Sequence, residues 1–111
     1  MSTQAATAKE RVKTIFITVD AQGKPQIAAD QQVVTISSTN GEQVRWESDG
    51  GVPFRVDFKT DASPFYEDQF DEKSSHSGLV RRGVLPSEDR FYKYTIEING
   101  KTLDPVIKVY P

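Results

Sequence analysis

His76 is the only histidine among 111 residues, and the chain has no cysteine. One imidazole cannot build a multi-histidine metal centre or complete a catalytic triad by itself, and acid–base work at His76 would need a carboxylate partner. Asp61, Glu67, Asp68, Asp71 and Glu72 make the stretch 60–76 acidic. On a continuing helix Asp68, Glu72 and His76 stand four apart, share one face, and would hold a hard cation through oxygen. The competing reading is a solvated acidic loop, and it is favoured because no calcium-loop pattern with its central glycine is present. Ser74, Ser75 and Ser77 flank His76, but adjacency in sequence is not the geometry of an activated nucleophile, and the strained Gly-x-Ser-x-Gly elbow is missing. Gly50-Gly51 is too short to cradle a phosphate. The chain therefore reads as a non-enzyme, with no cofactor expected.

Phe65, Tyr66 and Phe70 lie among these acids. Either they cap the open end of a β-sandwich or they form an exposed apolar patch for a partner, and capping is preferred because small sandwiches need covered ends. Arg81 and Arg82 would pair with an acidic partner or serve as edge protection. Fourteen Lys and Arg against sixteen Asp and Glu give no basic excess, which disfavours nucleic acid and anionic membranes as partners.

The elements that must position these residues read as strands. In Phe91–Ile98, Tyr92, Tyr94, Ile96 and Ile98 share one face, Asn99-Gly100 supplies a tight turn, and Asp104-Pro105 restarts an extended return through Val106–Tyr110. Lys13–Val19 reads as a strand near the middle of a sheet. Ile27 and Val33–Ile36 are extended pieces, and Asn40-Gly41 is a second hairpin signal before Gln43–Glu47. Trp46, the sole tryptophan, is expected in the core. Phe54, Val56 and Phe58 point inward, with Arg55, Asp57 and Lys59 outward. Ser63-Pro64 is a helix start with serine as cap, so one or two turns of helix are expected over 63–70, with Tyr66 and Phe70 on one face. Leu79-Val80 and Val84-Leu85 read as short edge strands. The sum is an all-β Greek-key sandwich of seven to eight strands with one short helix. Residues 1–12 are expected to be a disordered tail and 13–111 a single domain.

The order Val44-x-Trp46, a polar loop, Gly51-x-Pro53-x-x-Val56-x-Phe58, then Tyr92-x-Tyr94-x-Ile96 and a terminal strand resembles the cupredoxins, the blue-copper sandwich family. Ser63-Pro-Phe65 and the ending Lys93-Tyr94 to Asp104-Pro105-Val-Ile107 are similar to bacterial cupredoxin-like domains in particular. The resemblance spans most of residues 13–110 as a pattern of strands. It implies a cupredoxin-like fold, whose family function depends on copper held by two histidines, a cysteine and an axial methionine. At the positions that match those ligands this chain has Phe54, Ile96 and Asn99, and its only methionine is Met1. The resemblance thus implies the scaffold without blue-copper electron transfer.

The expectation for function is a copper-free, non-enzymatic module that binds another protein through Phe65, Tyr66, Phe70, Arg81 and Arg82 or through a sheet edge. The alternative is a small-ligand or metal-ion binding module using the acidic 60–76 loop. No run approaches the roughly 18 apolar residues of a membrane span. Residues 1–10 lack the apolar centre of a signal peptide, so a cytoplasmic location is expected, or a periplasmic or secreted one if a signal has been removed.

Overall fold

The alternating Ile15 and Ile17 turn inward from β1 (Val12–Val19), the middle strand of a three-stranded sheet. The computed structural model describes residues 11–58, 63–82 and 90–111. The expectations for Lys59 and for a strand at Val84-Leu85 fall outside those residues, as does most of the expected N-terminal tail; the first strand starts at Val12. β2 (Pro25–Gln26) pairs antiparallel with the end of β1, while β4 (Gln43–Ser48) pairs with β1 in parallel, Ile15 opposite Trp46. A second sheet has β3 (Val33–Ser37), β10 (Val106–Tyr110) and β7 (Arg90–Lys93) in that order, with β3 and β10 parallel and β10 and β7 antiparallel. The third has the antiparallel order β6 (Gln69–Asp71), β5 (Arg55–Asp57), β8 (Thr95–Ile98), β9 (Lys101–Leu103). The fold is all-β and sandwich-like, and inward residues of all three sheets join one core cluster.

Four local expectations are corrected. No helix forms over 63–70. The Ser63 hydroxyl accepts the Phe65 N–H at 3.0 Å and donates to the Glu67 carbonyl at 2.7 Å, so the serine closes a local turn instead of capping a helix. Phe65 is extended and bridges Val80. Tyr66 and Phe70 consequently do not share a face: Tyr66 is 68% exposed and Phe70 only 4%.

Asn40-Gly41 does not join a hairpin either, because β3 and β4 lie in different sheets. Gly41 has φ +69° whereas Asn40 is not in the left-handed region, and the two-residue hairpin turn suited to an Asn-Gly pair needs positive φ at both. The 38–42 link is closed by Glu42, whose N–H donates to the Ser37 carbonyl while its carboxylate accepts the Ser37 N–H.

Asn99-Gly100 does have positive φ at both residues, +53° and +79°. It returns the chain as β9, however, not as the 106–110 strand: Ile98 opposes Lys101. The inward face of 92–98 is as expected, with Tyr92, Tyr94, Ile96 and Ile98 all buried, yet the segment is divided at Tyr94. β7 before it pairs with β10, and β8 after it pairs with β5.

Asp57, expected outward, is buried at the end of β5 and its carboxylate accepts the Gln69 side-chain N–H at 3.3 Å. A buried carboxylate needs donors, and the cross-strand glutamine supplies one.

Candidate functional site

The segment after β6 is organised by Asp71. One of its carboxylate oxygens accepts the N–H groups of Lys73 at 2.8 Å and Ser74 at 2.9 Å, which turns the chain back along the free edge of β4. There the Trp46 N–H donates to the Ser75 carbonyl, the Ser77 N–H donates to the Val44 carbonyl, and the Val44 N–H donates to the Ser77 hydroxyl, each at 2.9 Å. A serine-rich stretch that reads as solvated loop thus works as an edge cover, with Ser77 buried and an otherwise open ladder satisfied.

This turn separates the candidate metal ligands. The Glu72 carboxylate accepts the Phe54 N–H at 3.2 Å. His76 is exposed and faces Arg45 across an isolated antiparallel bridge. Glu72 and His76 line one small recess, whereas Asp68 lines a different one beside Tyr66 and Arg81. Among the described residues no group of three or more His, Cys, Asp and Glu is gathered as a metal site would require.

Of the three positions that the resemblance equates with copper ligands, Phe54 and Ile96 are buried and Asn99 is exposed at the hairpin tip. Val56 pairs with Ile96 and Arg55 with Glu97, which brings the Phe54 end of β5 next to the Asn99 turn. Phe54 and Asn99 both line an open groove of about 680 Å³, together with Arg55 and the carboxylates Glu67, Asp71, Glu72 and Glu97. Two of those carboxylates, Asp71 and Glu72, already accept backbone N–H groups.

The aromatic residues of the 63–70 stretch divide sharply. Phe65 is 1% exposed, with its ring centroid 6.0 Å from Phe58 and 6.2 Å from Phe70, both edge-on. Phe70 is tilted against Trp46 at 5.0 Å. These two rings close the end of the core, with the offset and edge-on geometry that aromatic quadrupoles favour.

Tyr66 stands apart from them. Phe65 bridges Val80, and the Arg81 N–H donates to the Pro64 carbonyl at 2.8 Å. Tyr66 and Leu79 each stand one place beyond that bridge, on the two segments it joins. Leu79 is 52% exposed. Arg81 is fixed nearby, its guanidinium Nε donating to the Ser63 carbonyl at 2.9 Å, and Arg82 is exposed. Leu79 was not singled out by the sequence. Its alternation with Val80 is visible there, but the Phe65–Val80 bridge that brings the two segments together exists only once the loop has folded.

No family model, curated protein or solved structure matches this chain.

Proposed function

We propose that this chain is a copper-free, cupredoxin-like Greek-key sandwich that works as a non-enzymatic protein-binding module, with Tyr66 and Leu79 as its contact pair and Arg81 and Arg82 beside them. The observation that carries the reading is the division of the 63–82 excursion. Phe65, Phe70 and Val80 anchor it in the core, while Tyr66 and Leu79, the neighbours of the bridged Phe65 and Val80, leave large side chains exposed. Exposed tyrosine and arginine are the residue types that protein interfaces favour at their centres, and Leu79 adds exposed apolar area on the same excursion. The scaffold part of the reading draws support from the parallel β1–β4 and β3–β10 pairings, which require the chain to cross between sheets. The copper-free part of the reading fits the burial of Phe54 and Ile96, the side chains that the resemblance sets at ligand positions.

The alternative, a ligand or metal module using the acidic loop, is favoured by one observation, the four carboxylates around the groove at Phe54 and Asn99. It is the weaker reading because Asp71 and Glu72 already serve as backbone acceptors.

A photo-crosslinking residue placed at position 66, with the same residue at the exposed Thr18 as control, tests the proposal in an extract of the source cells. A discrete adduct formed from position 66, absent from position 18 and abolished by Leu79→Ser, is the expected result. Equal labelling from both positions overturns the assignment of this surface.

A further inference from the structure

The chain contains the dipeptide Asn-Gly twice, at 40–41 and at 99–100, in two different structural settings. At the first, the Gly41 N–H donates to the Ser38 carbonyl at 3.2 Å and the Asn40 N–H donates to the Ser37 hydroxyl at 3.2 Å. Gly41 is half-buried, and the Leu79 side chain lies 3.7 Å from where a Cβ would stand. At the second, the Gly100 N–H has no hydrogen-bond partner among the described residues. Asn99 and Gly100 are both exposed, and nothing approaches within 4 Å of a Cβ built on Gly100. The strand that follows, β9, is three residues long and largely exposed.

We propose that Asn99-Gly100 is a site of spontaneous deamidation, whose product places a new carboxylate on the rim of the acidic groove. The Gly100 amide nitrogen, after losing its proton to solvent base, attacks Cγ of Asn99. A C–N bond forms, the bond from Cγ to Nδ2 breaks, and ammonia leaves with a proton from water, giving a five-membered succinimide. Water then opens either ring carbonyl. One opening yields aspartate, and the other yields isoaspartate with the main chain routed through the former side chain. The net change is one water gained and one ammonia lost.

Attack requires rotation about the Asn99 backbone, away from the turn conformation. At a hairpin tip followed by a short exposed strand, that rotation disturbs little beyond the Ile98–Lys101 pair, so the necessary opening is local. At Asn40-Gly41 the same rotation breaks two hydrogen bonds and works against the leucine packed over the glycine. The absence of a Cβ on the following residue permits attack at both sites, so the difference between them comes from the fold.

The consequence is specific to the position. Asn99 lines the groove that already holds Glu67, Asp71, Glu72 and Glu97 against Arg55. Aspartate there adds like charge to the rim. Isoaspartate adds a backbone atom to a two-residue turn, and the Ile98–Lys101 pairing cannot be kept in its present register.

The test is incubation of the folded protein at mildly alkaline pH, followed by peptide mapping that separates aspartate and isoaspartate products at the two sites. A synthetic peptide with the sequence of residues 94–105 serves as the unstructured reference. The expected result is conversion at Asn99 several-fold faster than at Asn40, within an order of magnitude of the peptide. The variant Asn99→Gly, which tolerates the positive φ and removes the reacting amide, should lose the main conversion and leave the rate at Asn40 unchanged. Conversion at Asn40 equal to or faster than at Asn99, or an Asn99 that stays intact while the peptide reacts to completion, overturns the proposal.

Discussion

The Trp46 indole N–H donates to the Tyr94 hydroxyl over 3.2 Å inside the core. Trp46 belongs to β4, and Tyr94 stands at the joint where the chain passes from β7 to β8, so one hydrogen bond ties the first sheet to the crossing point of the other two. Tyr94 also stacks on Phe58 at 5.0 Å. The pair therefore joins apolar packing to the one polar contact that the indole requires.

Replacing Tyr94 with phenylalanine keeps the ring and leaves the indole N–H without a partner. Such an orphaned buried donor costs about 1–3 kcal/mol. Urea unfolding should show a lower midpoint with unchanged slope, and an unchanged midpoint would mean that the hydrogen bond contributes nothing net.

The same residue predicts an alkaline limit to stability. Burial pushes the Tyr94 hydroxyl well above the usual tyrosine value of 10.0, with the Trp46 hydrogen bond acting in the opposite direction. Above about pH 10 the unfolded chain releases this proton while the folded chain keeps it. The unfolded state then binds fewer protons, and stability falls as pH rises. Tyr94→Phe should flatten this part of the pH profile, and a wild-type slope that persists in the variant would assign the effect to other groups.

Two edge covers should be separable by hydrogen exchange. The Gln31 side chain accepts the Phe16 N–H and donates to the Thr14 carbonyl, both at 3.0 Å, which extends the β1 ladder with a side-chain amide. Gln31→Ala should speed exchange at Phe16 with a loss of about 0.5–1.5 kcal/mol per hydrogen bond.

Ser77→Ala acts on the opposite edge of the same sheet, where the Val44 N–H loses its acceptor. It should speed exchange at Val44 and leave Phe16 as it was.

The neighbours Phe65 and Tyr66 should behave in opposite ways. Phe65→Ala empties a core position and should cost about 3–5 kcal/mol. Tyr66→Ala should stay within about 0.5 kcal/mol of wild type, as surface changes do, while weakening the proposed contact. A large loss of stability in Tyr66→Ala, measured by thermal unfolding, would make that tyrosine structural.

Period-two alternation and turn chemistry were enough to establish several things. They indicated an all-β chain, the inward sets at Tyr92 to Ile98 and Phe54 to Phe58, Trp46 as a core anchor, and the tight turn at Asn99-Gly100. These are legible because burial acts on every second residue and positive φ selects particular residue types, both of which are local constraints. Which strands pair was not legible. Asn40-Gly41 resembles Asn99-Gly100 in sequence, but only the second closes a hairpin, because β3 is paired with β10 from the far end of the chain. The helix signal at Ser63-Pro64 was real as local capping chemistry, and it lost to the burial of Phe65 and Phe70 against Trp46 and Phe58. For the same reason the aromatic triplet was split. Residue type marks Phe65, Tyr66 and Phe70 alike as large aromatics, but only the long-range bridge from Phe65 to Val80 determines which rings enter the core and leaves Tyr66 facing water.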